Sequence, residues 1–141
     1  MADLVVSYTR EGDKQVIDTQ SSIMGTIDVD YTGVPEDARG GTAKQLLASS
    51  ALYCFCGAFA KALEVRGASY EKIYGTATLH TGLDEMKRAR VTGIDIEVTV
   101  EMDEEHEFTF DRVEKIMKQG CLITASLEAA FPMKYTLHHE Y

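Results

Sequence analysis

The chain has 141 residues, 45% hydrophobic and 26% charged, with a formal net charge of −9. These values describe a single globular domain, residues 1–141, large enough to bury a core. The acidity argues against nucleic acid and against an anionic membrane surface, both of which call for clustered Lys and Arg, and its plainest consequence is solubility.

The first residues, "MADLVVSYTREGD", lack the basic segment and long apolar run of a signal peptide, so a cytoplasmic location is expected. "DLVVSYT" (3–9) and "KQVIDT" (14–19) are β-rich runs around the turn "REGD", which contains Gly12; they predict a hairpin. "SIMGTIDVDYT" continues the alternation through Ile23, Ile27 and Val29, so a small β-meander is expected before the polar loop "GVPEDARGG".

Thr42 and Gln45 match a capping box, no Pro follows up to Arg66, and Gly67 suits the C′ position. A helix is predicted over 43–66, with its first two-thirds apolar on every side. The apolar run Leu46–Ala60 is shorter than a membrane span needs, and Lys61 closes it. Two long strands follow in "SYEKIYGTATLHTG" and "RVTGIDIEVTVEM". In the second, Ile94, Ile96, Val98 and Val100 share one face and Asp95, Glu97 and Thr99 the other. After an acidic loop, "TFDRVEKIMKQG" reads as a helix with Phe110, Val113, Ile116 and Met117 inward. "CLITASLEAAF" reads as a short helix with Cys121 at its start, and "MKYTLHHEY" as a last strand. The order βββ–α–ββ–αα–β is an α+β layout. One chain has too few elements to cover the long apolar helix, so an obligate homodimer is expected.

Three cysteines without a signal peptide do not form a disulfide framework. At 100° per residue, Cys54 shares a face with Leu47, Ser50, Ala51, Gly57, Ala58 and Lys61, a surface of mostly small side chains. Cys56 lies among Ser49, Leu52, Phe59 and Leu63, which are filler. Cys54 is therefore the better candidate for a reactive thiol. Cys121, at a helix start, is where N–H groups favour a thiolate. The competing explanation is that all three are buried small hydrophobes. Metal binding is not expected. Cys54 and Cys56 diverge, His138 and His139 point to opposite faces of a strand, and His80 and His106 stand alone near loops.

"GGTAKQLLASSALYCFCGAFAKAL" resembles the central helix of the OsmC/Ohr family of osmotically inducible and organic hydroperoxide resistance proteins, and "QGCLITASLEAAFPM" resembles its second motif, of the form "CPVSRAL". The element order matches as well. The resemblance implies an OsmC-like fold, an intertwined homodimer and a thiol peroxidase without a cofactor. Cys54 would be peroxidatic and Cys121 resolving through a disulfide that a dithiol reductant reopens. It also implies an activating arginine. Arg10 in "TREGD" sits in the better matching context, and Arg39 before the helix is the other candidate. Lys44 occupies the family's glutamate position, a charge reversal, and Leu122 replaces a proline. Leu47 and Tyr53 of one chain and Phe110 of its mate are candidate walls of an apolar pocket, unless Tyr53 and Phe110 are plain core. The alternative function is a non-enzymatic dimeric module that binds a small apolar ligand.

Overall fold

The computed structural model describes residues 2–141. The chain divides into two compact units, one ending at Gly41 and the other running Thr42–Tyr141.

The first unit is an antiparallel three-stranded sheet: β1 (Ser7–Glu11), β2 (Lys14–Ser21) and β3 (Gly25–Asp30), in that order. Glu11 pairs with Lys14, so Gly12 and Asp13 form a two-residue turn, and Gly12 takes the φ of +61° that such turns require. The first strand begins later than its apolar run suggests. Ser7 is the last residue with a partner, because β2 leaves the ladder after Asp18 in a bulge, and Leu4, Val5 and Val6 stay exposed. The loop after β3 closes on Arg39. Its Nε donates to the Val34 carbonyl at 2.8 Å and its Nη2 to the Tyr31 carbonyl at 3.1 Å, and its Nη1 meets Asp13 at 3.2 Å. The guanidinium carbon lies 5.4 Å from the centre of the Tyr31 ring.

The second unit packs three helices on one face of a second sheet. Helix α1 (Thr42–Glu64) ends in a Schellman motif: Ala68 N–H donates to the Leu63 carbonyl at 3.1 Å and Gly67 N–H to Glu64 at 3.0 Å, with Gly67 at φ +73°. At 23 residues α1 outruns the apolar stretch from Leu46 to Ala60. By length and composition alone it passes the test for a membrane span, contrary to the expectation from the shorter run. Its Ala51, Phe55, Phe59 and Leu63 stripe, four residues apart, is fully buried in the unit's core, while most of the rest of the helix is not covered by the chain.

Strands β4 (Lys72–Leu83) and β5 (Ala89–Glu101) pair antiparallel, and β6 (Met133–Glu140) joins β5 in parallel. Ile94, Ile96, Val98 and Val100 form the buried face, as their alternation predicts. The outer face carries imidazole–carboxylate hydrogen bonds, His80 with Asp95 and His138 with Glu97, both at 2.9 Å. His80 is thus a mid-strand residue with a carboxylate partner rather than a lone loop histidine. His139 takes the opposite face from His138 and packs against Phe110 at 5.3 Å between ring centres. The parallel β5–β6 pairing needs a long crossover, which α2 (Glu107–Met117) and α3 (Leu122–Leu127) provide. In α2 the buried residues are Phe110, Val113 and Met117, while Ile116 is exposed. Three inward positions fill the narrow stripe that α2 presents.

Candidate functional site

Cys54 and Cys56 flank the buried Phe55 of α1, one on each side, and both are half-buried. On the Cys56 side burial alone acts, and it pushes that thiol's pKa up. On the Cys54 side α1 meets α3. There Cys54 and Cys121 are near enough to influence each other's ionisation, and the backbone N–H groups of Leu122 and Ile123 favour the Cys54 thiolate. The three cysteines are free thiols.

Cys121 holds the N-cap of α3, after the break at Gly120. It is 9% exposed. Thr124 N–H donates to its Sγ at 3.5 Å, and Cys121 N–H donates back to Thr124 Oγ1 at 2.8 Å. The result is a capping box with a thiol in the place of the usual hydroxyl. Thr124 Oγ1 also lies 3.3 Å from Cys121 Sγ.

The two thiols respond to this setting in opposite directions. Burial raises the Cys54 pKa and the neighbouring Cys121 raises it further, against the pull of Ile123 and Leu122 N–H, so the net is upward. Burial also raises Cys121, but donation from Cys54, from the Thr124 hydroxyl and from Thr124 and Ile123 N–H outweighs it, so the net is downward. Such a pair titrates as a unit. The donors gathered around Cys121 favour its thiolate.

A further polar group lies behind Cys121. Tyr135 on β6 stacks its ring on Phe55 at 5.0 Å and donates its phenol proton to Glu128 Oε1 at 2.6 Å. Burial, then the Glu128 bond, pushes the Tyr135 pKa up to about 12, so the phenol is neutral. The fully buried Thr124 hydroxyl and this phenol both border the space beside Gly120. The sequence offers no cue to Tyr135 or Glu128. The only signal for Thr124 is its place three residues after Cys121, and a thiol is not a usual cap.

The remaining candidates lie elsewhere. Arg10 and Arg39 belong to the first unit. Arg10 Nε donates to the Gly12 carbonyl at 3.0 Å, and Arg39 is engaged by Val34, Tyr31 and Asp13. Lys44 is exposed in the first turn of α1, ten residues and roughly 15 Å along the axis from Cys54. Phe110 is core, packed edge-on to Phe59 at 6.3 Å, and Leu47 is partly buried against that core. Tyr53 is 83% exposed in the chain, so it is not part of the chain's own core.

Comparison with known proteins agrees with this architecture. Residues 35–136 match the family model described as OsmC-like protein. Among solved structures, an OsmC-like protein from Mycoplasma pneumoniae superposes with a TM-score of 0.78 at 10% identity, covering 99% of each chain. An organic hydroperoxide resistance protein from Legionella pneumophila gives 0.63 at 15% identity, over 100% of this chain and 98% of that one. The organic hydroperoxide resistance protein OhrB of Bacillus subtilis gives 0.61 at 17%, over 96% and 98%. No curated protein matches in sequence. These likenesses extend over nearly the whole chain and show an α+β, OsmC-like fold. With the family model spanning residues 35–136, the chain belongs to the OsmC-like protein family.

Proposed function

We propose that this protein is a thiol peroxidase that reduces organic hydroperoxides, with Cys54 as the peroxidatic and Cys121 as the resolving cysteine. The observation that carries the reading is the proximity of two free thiols from separate elements, α1 and the N-cap of α3, near enough that each shifts the other's ionisation, with Thr124 N–H donating to Cys121 Sγ at 3.5 Å. Likeness to organic hydroperoxide resistance proteins supports it.

The steps follow from the unequal pair. The Cys121 thiolate takes the proton of Cys54, and the Cys54 sulfur attacks the terminal oxygen of the peroxide. The O–O bond breaks, Cys54 becomes a sulfenic acid, and the alkoxide leaves with the proton now on Cys121. Cys121, again a thiolate, attacks the Cys54 sulfur. The disulfide forms, and the hydroxyl departs as water with one further proton. A dithiol reductant then reopens the disulfide. The more exposed thiol thus meets the peroxide while the buried one manages the proton. Arg10 is the cation that orients the peroxide in this reading. Arg39 is the second choice, because its donors serve the loop after β3. Lys44, too distant to touch Cys54 along the helix, adds only a screened field.

The active form is a homodimer in the cytoplasm. A helix that is apolar around its circumference but buries one stripe supports the dimer, as does exposed Tyr53. Free thiols suit a reducing compartment. The test is dithiol-dependent reduction of cumene hydroperoxide. Cys54→Ser is expected to lower the rate by about a thousandfold or more, and Cys56→Ala to leave it within about twofold. Equal rates for wild type and Cys54→Ser would sink the peroxidase reading. A folded monomer at micromolar concentration in sedimentation would remove the dimer.

A further inference from the structure

Tyr135 on β6 touches both elements that carry the thiol pair. Its ring stacks on Phe55 of α1, with centres 5.0 Å apart and planes inclined by 12°, and Phe55 is the chain neighbour of Cys54. Its phenol donates to Glu128 Oε1 at 2.6 Å, at the end of α3. Its carbonyl accepts from Lys118 Nζ at 3.1 Å, in the link between α2 and α3. Its hydroxyl oxygen would lie 2.9 Å from a Cβ at Gly120, the residue before Cys121, so the phenol occupies the space beside that glycine. Tyr135 is 8% exposed, whereas Glu128 is exposed.

Helix α3 has little of its own to hold it in place. It is six residues long, under two turns, and a helix so short is not stable alone. The box between Cys121 and Thr124 closes its first turn, and the Ser126 hydroxyl donates to the Leu122 carbonyl within the same helix at 2.6 Å. These bonds fix the thiol relative to α3 but not α3 relative to the rest of the unit. Ile123 and Leu127 pack against the core and are only partly buried. The bond from Tyr135 to Glu128 ties the far end of α3 to the sheet, and it is charge-assisted.

We infer that Tyr135 is a positioning residue that holds Cys121 against α1, and that its bond to Glu128 is the latch that keeps α3 closed over the buried thiol. With the latch made, both thiols are referred to one side chain, Cys54 through Phe55 and Cys121 through Gly120 and Glu128. With the latch broken, α3 loosens and Cys121 reaches solvent by local opening. The use of the latch in catalysis, keeping Cys121 within reach of Cys54, rests on the reading above. The opening of α3 is measured without any peroxide.

The test is alkylation of Cys121 by iodoacetamide in full-length Cys54→Ala/Cys56→Ala protein, where it is the only thiol. The rate is followed against pH, which also titrates the thiol. Proteins are compared on the plateau above the thiol midpoint, where differences in ionisation drop out, and below the pH of about 12 at which Tyr135 ionises. Tyr135→Phe keeps the ring and removes the bond, and Glu128→Ala removes the acceptor. Each is expected to raise the plateau rate by about tenfold. The double variant is expected to stay within about twofold of either single one, because the same bond is lost in all three. Glu128→Gln keeps an acceptor oxygen and is expected to return the rate to within about threefold of the parent. Single variants no more than about twofold faster than the parent, or effects that multiply in the double variant, overturn the latch. If Tyr135→Phe does not fold, the exposed position decides: Glu128→Ala faster than Glu128→Gln supports the latch, and equal rates overturn it. Failure of peroxide reduction with these rates as expected would count against the peroxidase and not against the latch.

Discussion

The chain contains two polar clusters of similar size that behave differently. Around Arg39 in the first unit, donors and acceptors are matched: Nε, Nη1 and Nη2 each have a partner, and the guanidinium plane lies over Tyr31. Around Cys121 in the second unit, the one Thr124 hydroxyl proton faces two acceptors, the Cys121 sulfur at 3.3 Å and the Cys121 carbonyl at 3.5 Å. A matched cluster has one low-energy arrangement and holds a loop in place. A cluster with one proton too few has two, and it can respond when a neighbouring sulfur gains or loses charge. The Arg39 cluster holds the loop after β3, whereas the Thr124 hydroxyl beside Cys121 has a choice of acceptors.

The contrast can be broken most severely at Gly120. Its φ of +74° and the oxygens within 3 Å of an added Cβ make Gly120→Ala the most destabilising change, by about 3 kcal/mol in denaturant titration, with Thr124 and Tyr135 displaced. A loss under about 1 kcal/mol would show that the space between Thr124 and Tyr135 tolerates a methyl group.

The next largest effect sharpens the comparison through alkaline titration. The folded-state pKa of Tyr135 is raised from 10.0 to about 12, so its contribution is complete below pH 10 and disappears as pH rises through about 12. Wild type is expected to lose about 2 kcal/mol more than Tyr135→Phe over that interval. Parallel stability curves for the two proteins would remove the buried, Glu128-bonded phenol from the account.

The smallest effect is at the matched cluster. Arg39→Ala is expected to cost about 1 kcal/mol, since its ion pair with Asp13 is partly exposed, and to leave the thiol titration unmoved. A moved titration would bring Arg39 into the thiol site and erase the distinction.

Much of this could be read from residue order. The alternation of Ile94, Ile96, Val98 and Val100 identified a half-buried strand and its inner face, because a pleated strand has a period of two. The helix arithmetic separated Cys54 from Cys56, because a turn of 3.6 residues puts them on opposite flanks of Phe55. The Gly67 stop and the Gly120 break were legible because both need positive φ. Ile116 was misplaced by the same logic. Periodicity says which residues share a face, but not how wide a stripe the neighbouring elements cover.

By itself, then, the sequence determined the order and kind of the elements, the inner face of β5 and the two cysteines on which the functional reading rests. These follow from local backbone geometry and side-chain period. Tertiary structure decided the parallel pairing of β6 with β5, the placement of Cys121 against Cys54, and the convergence of Thr124, Tyr135 and Glu128 behind it. Those contacts join residues from separate elements, and the packing of α1 and α3 on the sheet brings them together. The opposite pKa shifts of the two thiols have the same origin. Hydrogen-bond donors, not residue type, decide which sulfur carries the charge.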